Sequence, residues 1–124
     1  MLEQQLSAED AKLVTLARAA RARINAIEGA AVRDGDGRTY AAATVGLPSL
    51  SLTALQLAVA NAVAAGAPKL EAAAVVTEAS TLEELGRAAV RDLAPTAPVH
   101  LAGPGGTVFG TVTSRASAPA SPGK

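Results

Sequence analysis

The sequence predicts an α/β domain built on a mixed five-stranded sheet with helices on both faces. Three observations lead there. Stretches of helical periodicity alternate along the chain with short strand-like stretches. Residues 70–77 form an apolar run with Val75 and Val76, suited to a central strand buried on both faces. The helix before that run is apolar nearly all round, so it must be covered on two sides.

The elements follow in order. Ser7, followed by Ala8, Glu9 and Asp10, reads as an N-cap with acidic residues in the first helical turn. Leu13, Leu16, Ala17, Ala20, Ile24 and Ile27 then recur at helical spacing, and Gly29 is expected to end this helix. Residues 30–33 are a short strand, and Asp34-Gly35-Asp36-Gly37 is a hairpin turn. It lacks the full spacing and distal Glu of a calcium loop. Residues 38–45 form the return strand. Gly46-Leu47-Pro48 breaks the pattern, and Ser49 or Ser51 can cap a second helix over residues 52–65. Leu52, Leu55, Val59 and Val63 form one face of it; Ala54, Leu57, Ala58, Asn61 and Ala65 form the other. Gly66 stops it. After the central strand, Ser80 with Glu83 or Thr81 with Glu84 makes a capping box for a third helix, whose apolar positions are Leu82, Leu85, Ala89 and Leu93. Pro95 and Pro98 lead to a strand at 99–102, a turn at 103–106 and a last strand at 107–113. From Ser114 onward, Ser, Ala, Pro and Gly predominate, so residues 1–113 are assigned to the domain and 114–124 to a flexible tail.

Composition narrows the function. The chain has 124 residues, room for one domain. About a quarter of them are Ala, and Tyr40 and Phe109 are the only aromatics, so the core relies on close approach through small side chains. Eleven basic side chains balance eleven acidic ones. A neutral chain nearly without stacking rings is a poor nucleic-acid binder. Cysteine is absent, which removes disulfides and thiolate metal sites. No signal peptide is visible in the first thirty residues, and the protein reads as cytoplasmic. Residues 39–68 carry no charge. Thr44, Ser49, Ser51, Thr53, Gln56 and Asn61 interrupt them, so the segment is expected to be buried in protein and not in a membrane.

Local phrasing adds a resemblance that covers residues from about Leu13 to Val112. Leu16-Ala17-Arg18-Ala19-Ala20, Glu28-Gly29-Ala30-Ala31-Val32-Arg33-Asp34 with Gly37, the helix ending at Gly66, Ala74-Val75-Val76 and Ala94-Pro95-Thr96-Ala97-Pro98-Val99 occur in the order and spacing of the small cytidine deaminases. In these stretches the chain resembles that family. The resemblance implies a three-layer cytidine-deaminase-like fold. It also implies chemistry at two helix starts: a Cys or His ligand two residues before a proton-shuttling Glu on the second helix, and Pro-Cys-x-x-Cys on the third. Zinc there lowers the pKa of a bound water for attack on the base.

Those positions carry other residues here. Aligned back from Gly66, Thr53 stands at the first ligand and Leu55 at the Glu; aligned forward from Tyr40, they are Leu55 and Leu57. Aligned back from Pro95, Leu82, Glu83 and Gly86 fall on Pro-Cys-x-x-Cys. The ribose-binding Asn and Glu of the family fall near Thr44 and Gly46. The segment between first helix and first strand is shortened to about residues 25–28.

The remaining polar features have bland explanations. His100 is the only histidine and cannot hold zinc alone, so it reads as a structural strand residue. Glu83 and Glu84 lie in the first turn of a helix, where capping explains them. Arg18, Arg21 and Arg23 spread around an exposed arc at about 100° per residue and read as a solvated face. Gly103-Pro104-Gly105-Gly106 reads as a turn, because no Gly-Lys-Ser/Thr follows it.

The expected protein is therefore a degenerate member of the resembled family. It has no catalytic, cofactor-binding or metal residues and no cofactor, and it acts through assembly or binding. The alternatives are a nucleoside or nucleotide binder that keeps the pocket without metal, and a working cytidine deaminase as the family name would suggest. A homo-oligomer, dimer or tetramer, is expected through helix 52–65, because one apolar face of that helix would otherwise stand in water. The resemblance points the same way, since small cytidine deaminases are typically tetramers packed through this region.

Overall fold

In a computed structural model, residues 6–113 are described. The elements are α1 (Ala8–Ile24), β1 (Gly29–Asp34), β2 (Thr39–Ala43), β3 (Val45–Leu47), β4 (Leu50–Leu52), α2 (Ala54–Ala64), β5 (Leu70–Val76), α3 (Glu84–Leu93), β6 (Pro98–Ala102) and β7 (Val108–Thr113). Five strands form one sheet in the order β2-β1-β5-β6-β7. The β5–β6 pair is parallel and the other pairs are antiparallel, so the sheet is mixed as expected. The tail assigned to 114–124 lies outside the described residues. Among those described, no helix is long and apolar enough to cross a membrane.

Two apolar layers sandwich the sheet. On one side Leu13, Val14 and Ala17 of α1 pack on Ala31, Ala72, Ala74 and Val76. On the other, Leu55, Ala58, Val59 and Ala62 of α2 and Val90 of α3 pack on Ala30, Val32, Ala73, Val75 and Val99. Alternate residues of β1 and β5 point to opposite layers, which explains why β5 is buried on both faces at every position but Glu71. The alanine-rich sheet brings helices close. A Cβ on Gly29 would collide with the Ala17 carbonyl oxygen of α1 and lie 2.8 Å from Arg21 Cβ.

Element ends differ from the sequence reading in four places. Asn25, not Gly29, closes α1: it adopts φ 52°, ψ 49°, and the Ala26 amide donates to Arg21 O. Asn tolerates this left-handed conformation better than most residues do. Ile24 and Ile27 consequently leave the apolar stripe and stand in solvent. Residues 45–52 are a second, two-stranded hairpin, with Val45 opposite Leu52 and Leu47 opposite Leu50. Pro48 and Ser49 form its two-residue turn, so neither Ser49 nor Ser51 caps α2. Thr53 does: its hydroxyl accepts from Gln56 N, and Gln56 Oε1 accepts from Thr53 N, both at 3.0 Å. The helix expected at 52–65 thus starts at Ala54, and Ala58 and Val59 face the sheet together while Val63 is exposed. Finally, α3 has no Ser or Thr box. Glu83 is the N-cap, and its own carboxylate accepts from Gly86 N at 2.7 Å. The buried face of α3 is Gly86 and Val90, and Leu85 is exposed.

Candidate functional site

One edge of the sheet gathers the N-termini of α2 and α3 and the C-terminal end of β5. In open α/β sheets this is the edge that takes ligands. Immediately after β5, the Thr77 amide donates to Ala102 O at the end of β6. The Thr77 hydroxyl donates to Glu28 Oε2 at 2.8 Å and accepts from the Ala79 amide. Just before β1, the Glu28 amide donates to the Thr44 hydroxyl at 3.0 Å, and that hydroxyl donates back to Glu28 O. Glu28 therefore ties together the ends of β1, β2 and β5. This role is not visible along the chain, because its partners lie 16 and 49 residues away.

The two helix starts meet through Leu55 and Gly86. Leu55 is fully buried. A Cβ on Gly86 would lie 2.8 Å from Leu55 Cβ and 3.0 Å from Leu55 Cδ2, and would run into Glu83 Oε2. Gly86 is thus the residue that lets the leucine in. Glu83 Oε1 caps α3, while Oε2 is buried and accepts no hydrogen bond among the described residues.

These are the positions at which the resemblance calls for zinc ligands, and the side chains present do not fit a zinc ion. Zinc takes three or four protein donors in catalytic and structural sites. Leu55, Leu57 and Gly86 have no side-chain donor atom, and Glu83 supplies one carboxylate already committed to its helix. Among the described residues, no three His, Cys, Asp or Glu side chains gather as a metal site.

His100 lies elsewhere, against α1. Its Nε2 is 2.8 Å from Asp10 Oδ2 and its Nδ1 2.9 Å from Thr111 Oγ1. Asp10 also pairs with Arg33 at 2.9 Å, and Arg33 with Glu71 at 3.2 Å. Burial pushes the Asp10 carboxyl up, but the hydrogen bonds from His100 and Arg33 outweigh it and hold the group below its ordinary value. His100 is thereby the buried strand residue expected, with all ring nitrogens engaged. Asp34 is spent on its hairpin: Oδ1 accepts from the Asp36 and Arg38 amides, and Oδ2 from the Tyr40 hydroxyl. Glu84 pairs loosely with Arg91, and Arg21 with Glu78.

Comparison with known proteins agrees with this architecture. The family described as cytidine deaminase-like matches residues 6–106. No curated protein matches the chain. Among solved structures, the chain is similar to the cytidine deaminase from Burkholderia pseudomallei, with a TM-score of 0.77 and 26% identity over 93% of this chain and 98% of that one. It shares its fold with the cytidine deaminase from Mycobacterium leprae, with a TM-score of 0.70 and 23% identity over 92% and 99% of the respective chains. With its sheet order, its paired helix starts and its matched span taken together, the chain belongs to the cytidine deaminase-like family.

Proposed function

We propose that this protein is a cytidine deaminase-like protein without zinc hydrolytic chemistry, acting through assembly or binding. The observation that carries this reading is the packing of Leu55 on Gly86. An apolar side chain fills the space between the two helix starts, where hydrolysis would need charged donors and a proton shuttle. Several independent positions are affected, including Leu57, Glu83 and Gly86, so no single substitution restores a ligand set. Purified protein dialysed against a chelator is expected to retain no zinc; close to one equivalent per chain would overturn the reading.

Assembly is the favoured mode of action. Residues 39–68 bring no charge to the surface, and Ala60, Asn61, Val63 and Ala64 of α2 are exposed along one helix face. Leu47 and Leu50 of the neighbouring hairpin are exposed as well. A second copy of the chain covering this face would remove apolar surface from water.

A second reading rests on Glu28, Thr44 and Thr77. A carboxylate and two hydroxyls at the ligand-taking edge of the sheet are groups that can hydrogen-bond a nucleoside's sugar, and Thr44 stands near the ribose-binding position that the resemblance implies. In this reading the pocket persists as a nucleoside or nucleotide site without metal. Cytidine, uridine and their monophosphates would then raise the melting temperature in a concentration-dependent way. No shift with any of them rejects it.

A further inference from the structure

The face of the sheet opposite the two helix starts holds a cavity of about 440 Å³ between α1 and the β6–β7 turn. That volume is within the range of small-molecule sites. Leu6, Val14 and Val108 supply its apolar wall, and Arg18, Thr15 and the turn from Gly105 to Thr107 supply its polar side. Folding brings together two features that are bland when taken singly along the sequence.

The first is Arg18. Its guanidinium lies against the glycine turn, with Nη1 3.6 Å from the point where a Cβ on Gly106 would stand. It has no acidic partner among the described residues, and the helix offers none: the residues three and four positions away are Val14, Thr15, Arg21 and Ala22. Arg33 and Arg21, on the same side of the molecule, are both paired with carboxylates.

The second is the turn. Gly106 has φ +93°, which favours glycine, and its amide donates to Gly103 O, while the Gly103 amide donates to Thr107 O. The Gly105 and Thr107 amides have no acceptor among the described residues. These two amides flank the engaged Gly106 amide and are donors left for a ligand beside Arg18. A neighbouring planar guanidinium matches the oxygens of phosphate or carboxylate.

We propose that this cavity is a binding site for a small amphiphilic anion, a phosphate monoester or carboxylate whose head meets Arg18 and the Gly105 and Thr107 amides and whose short apolar body lies on Leu6, Val14 and Val108. The β6–β7 turn leaves the same sheet edge as the helix starts, but the cavity opens on the other face, under α1, and does not depend on the function proposed for the helix starts.

Phenyl phosphate, benzoate and benzyl alcohol, titrated into isotope-labelled protein and followed by amide and arginine side-chain NMR shifts, test this. Saturable shifts centred on Arg18, Gly105, Gly106 and Thr107 are expected with the anions. Tighter binding of phenyl phosphate than of benzoate assigns the site to phosphate esters, and the reverse order assigns it to carboxylates. Arg18→Gln, at an exposed helix position where folding is not at stake, is expected to weaken anion binding about tenfold or more. Ala11→Trp, on the exposed side of α1 where Ala11 also lines the cavity, is expected to block it. Absence of saturable shifts, equal binding of benzyl alcohol, or unchanged affinity in Arg18→Gln would each overturn the proposal.

Discussion

Asp10 occupies the first turn of α1, where a carboxylate complements the helix dipole, and that much is visible in the sequence. Its other role is not visible there. The carboxylate accepts from His100 Nε2 and forms an ion pair with Arg33, residues brought to it by β6 and β1. With Nε2–H given to Asp10, Nδ1 of His100 is left to accept the Thr111 hydroxyl, so one acidic side chain sets the tautomer of the only histidine. Because the folded carboxyl titrates below its ordinary value, it stabilises the fold above the unfolded pKa, and that stabilisation is lost as pH falls through the folded pKa. Asp10→Asn is expected to cost about 2 kcal/mol at neutral pH. The difference from the unmodified protein should narrow below about pH 4. Urea unfolding at neutral pH and near pH 3 checks this. An equal difference at both would mean that the Asp10 charge is not what matters.

At the scale of elements, glycines record where backbones and side chains approach most closely. Gly29 of β1 lies under Ala17 and Arg21 of α1, so Gly29→Ala must push the helix off the sheet, at a cost of about 1–3 kcal/mol. Gly46 of β3 has nothing within 4 Å of its Cβ position, and Gly46→Ala should be close to neutral. Denaturation midpoints distinguish the two. The contact between Leu55 and Gly86 makes a sharper case. Leu55→Ala should cost about 2–5 kcal/mol by opening a cavity, and Gly86→Ala about 1–3 kcal/mol by overfilling the same space. The double variant should cost less than the sum by at least about 0.5 kcal/mol, since each change relieves the other. Strict additivity in urea unfolding would show that the two residues do not share one space.

The same elements show what the sequence made legible. Order and type of α1, β1, β2, α2, β5, β6 and β7 followed from periodicity and turn residues, while the buried faces of α1 and α2 were read only in part, since Ile24, Ile27 and Val63 are exposed and Ala58 is buried. The β3–β4 hairpin escaped because each strand has three residues, too few to display an alternation, and because Pro48 reads as a stop as readily as a turn. The start of α3 escaped because Ser80 and Thr81 both read as caps with Glu83 and Glu84 in the first turn, whereas Glu83 itself caps the helix and Gly86 packs under Leu55. At the candidate site, residue types at the helix starts were readable, but Glu28 with Thr44 and Thr77, and Arg18 with the glycine turn, are pairings made by the sheet.

For the whole molecule, the sandwich of α1, sheet, and α2 with α3 leaves the outer face of α2 without a partner among the described residues. The burial pattern corrects which residues belong to that face. Ala58 is fully buried against the sheet, so the outer face is carried by Ala60, Asn61, Val63 and Ala64. Light scattering is expected to give a homo-oligomer at micromolar concentration. Lysine at both Ala60 and Val63 should dissociate it while leaving the helical circular dichroism intact. A monomeric unmodified protein would end the assembly reading.

Whether this cytidine deaminase-like fold carries deaminase chemistry is decided by incubating the purified protein with cytidine in zinc-supplemented buffer and measuring uridine. With Leu55 filling the space between the helix starts, and no acid, His or Cys anywhere in residues 39–68, uridine is expected to form no faster than in buffer alone. Saturable production of uridine that scales with protein concentration and is abolished by a chelator would contradict the account.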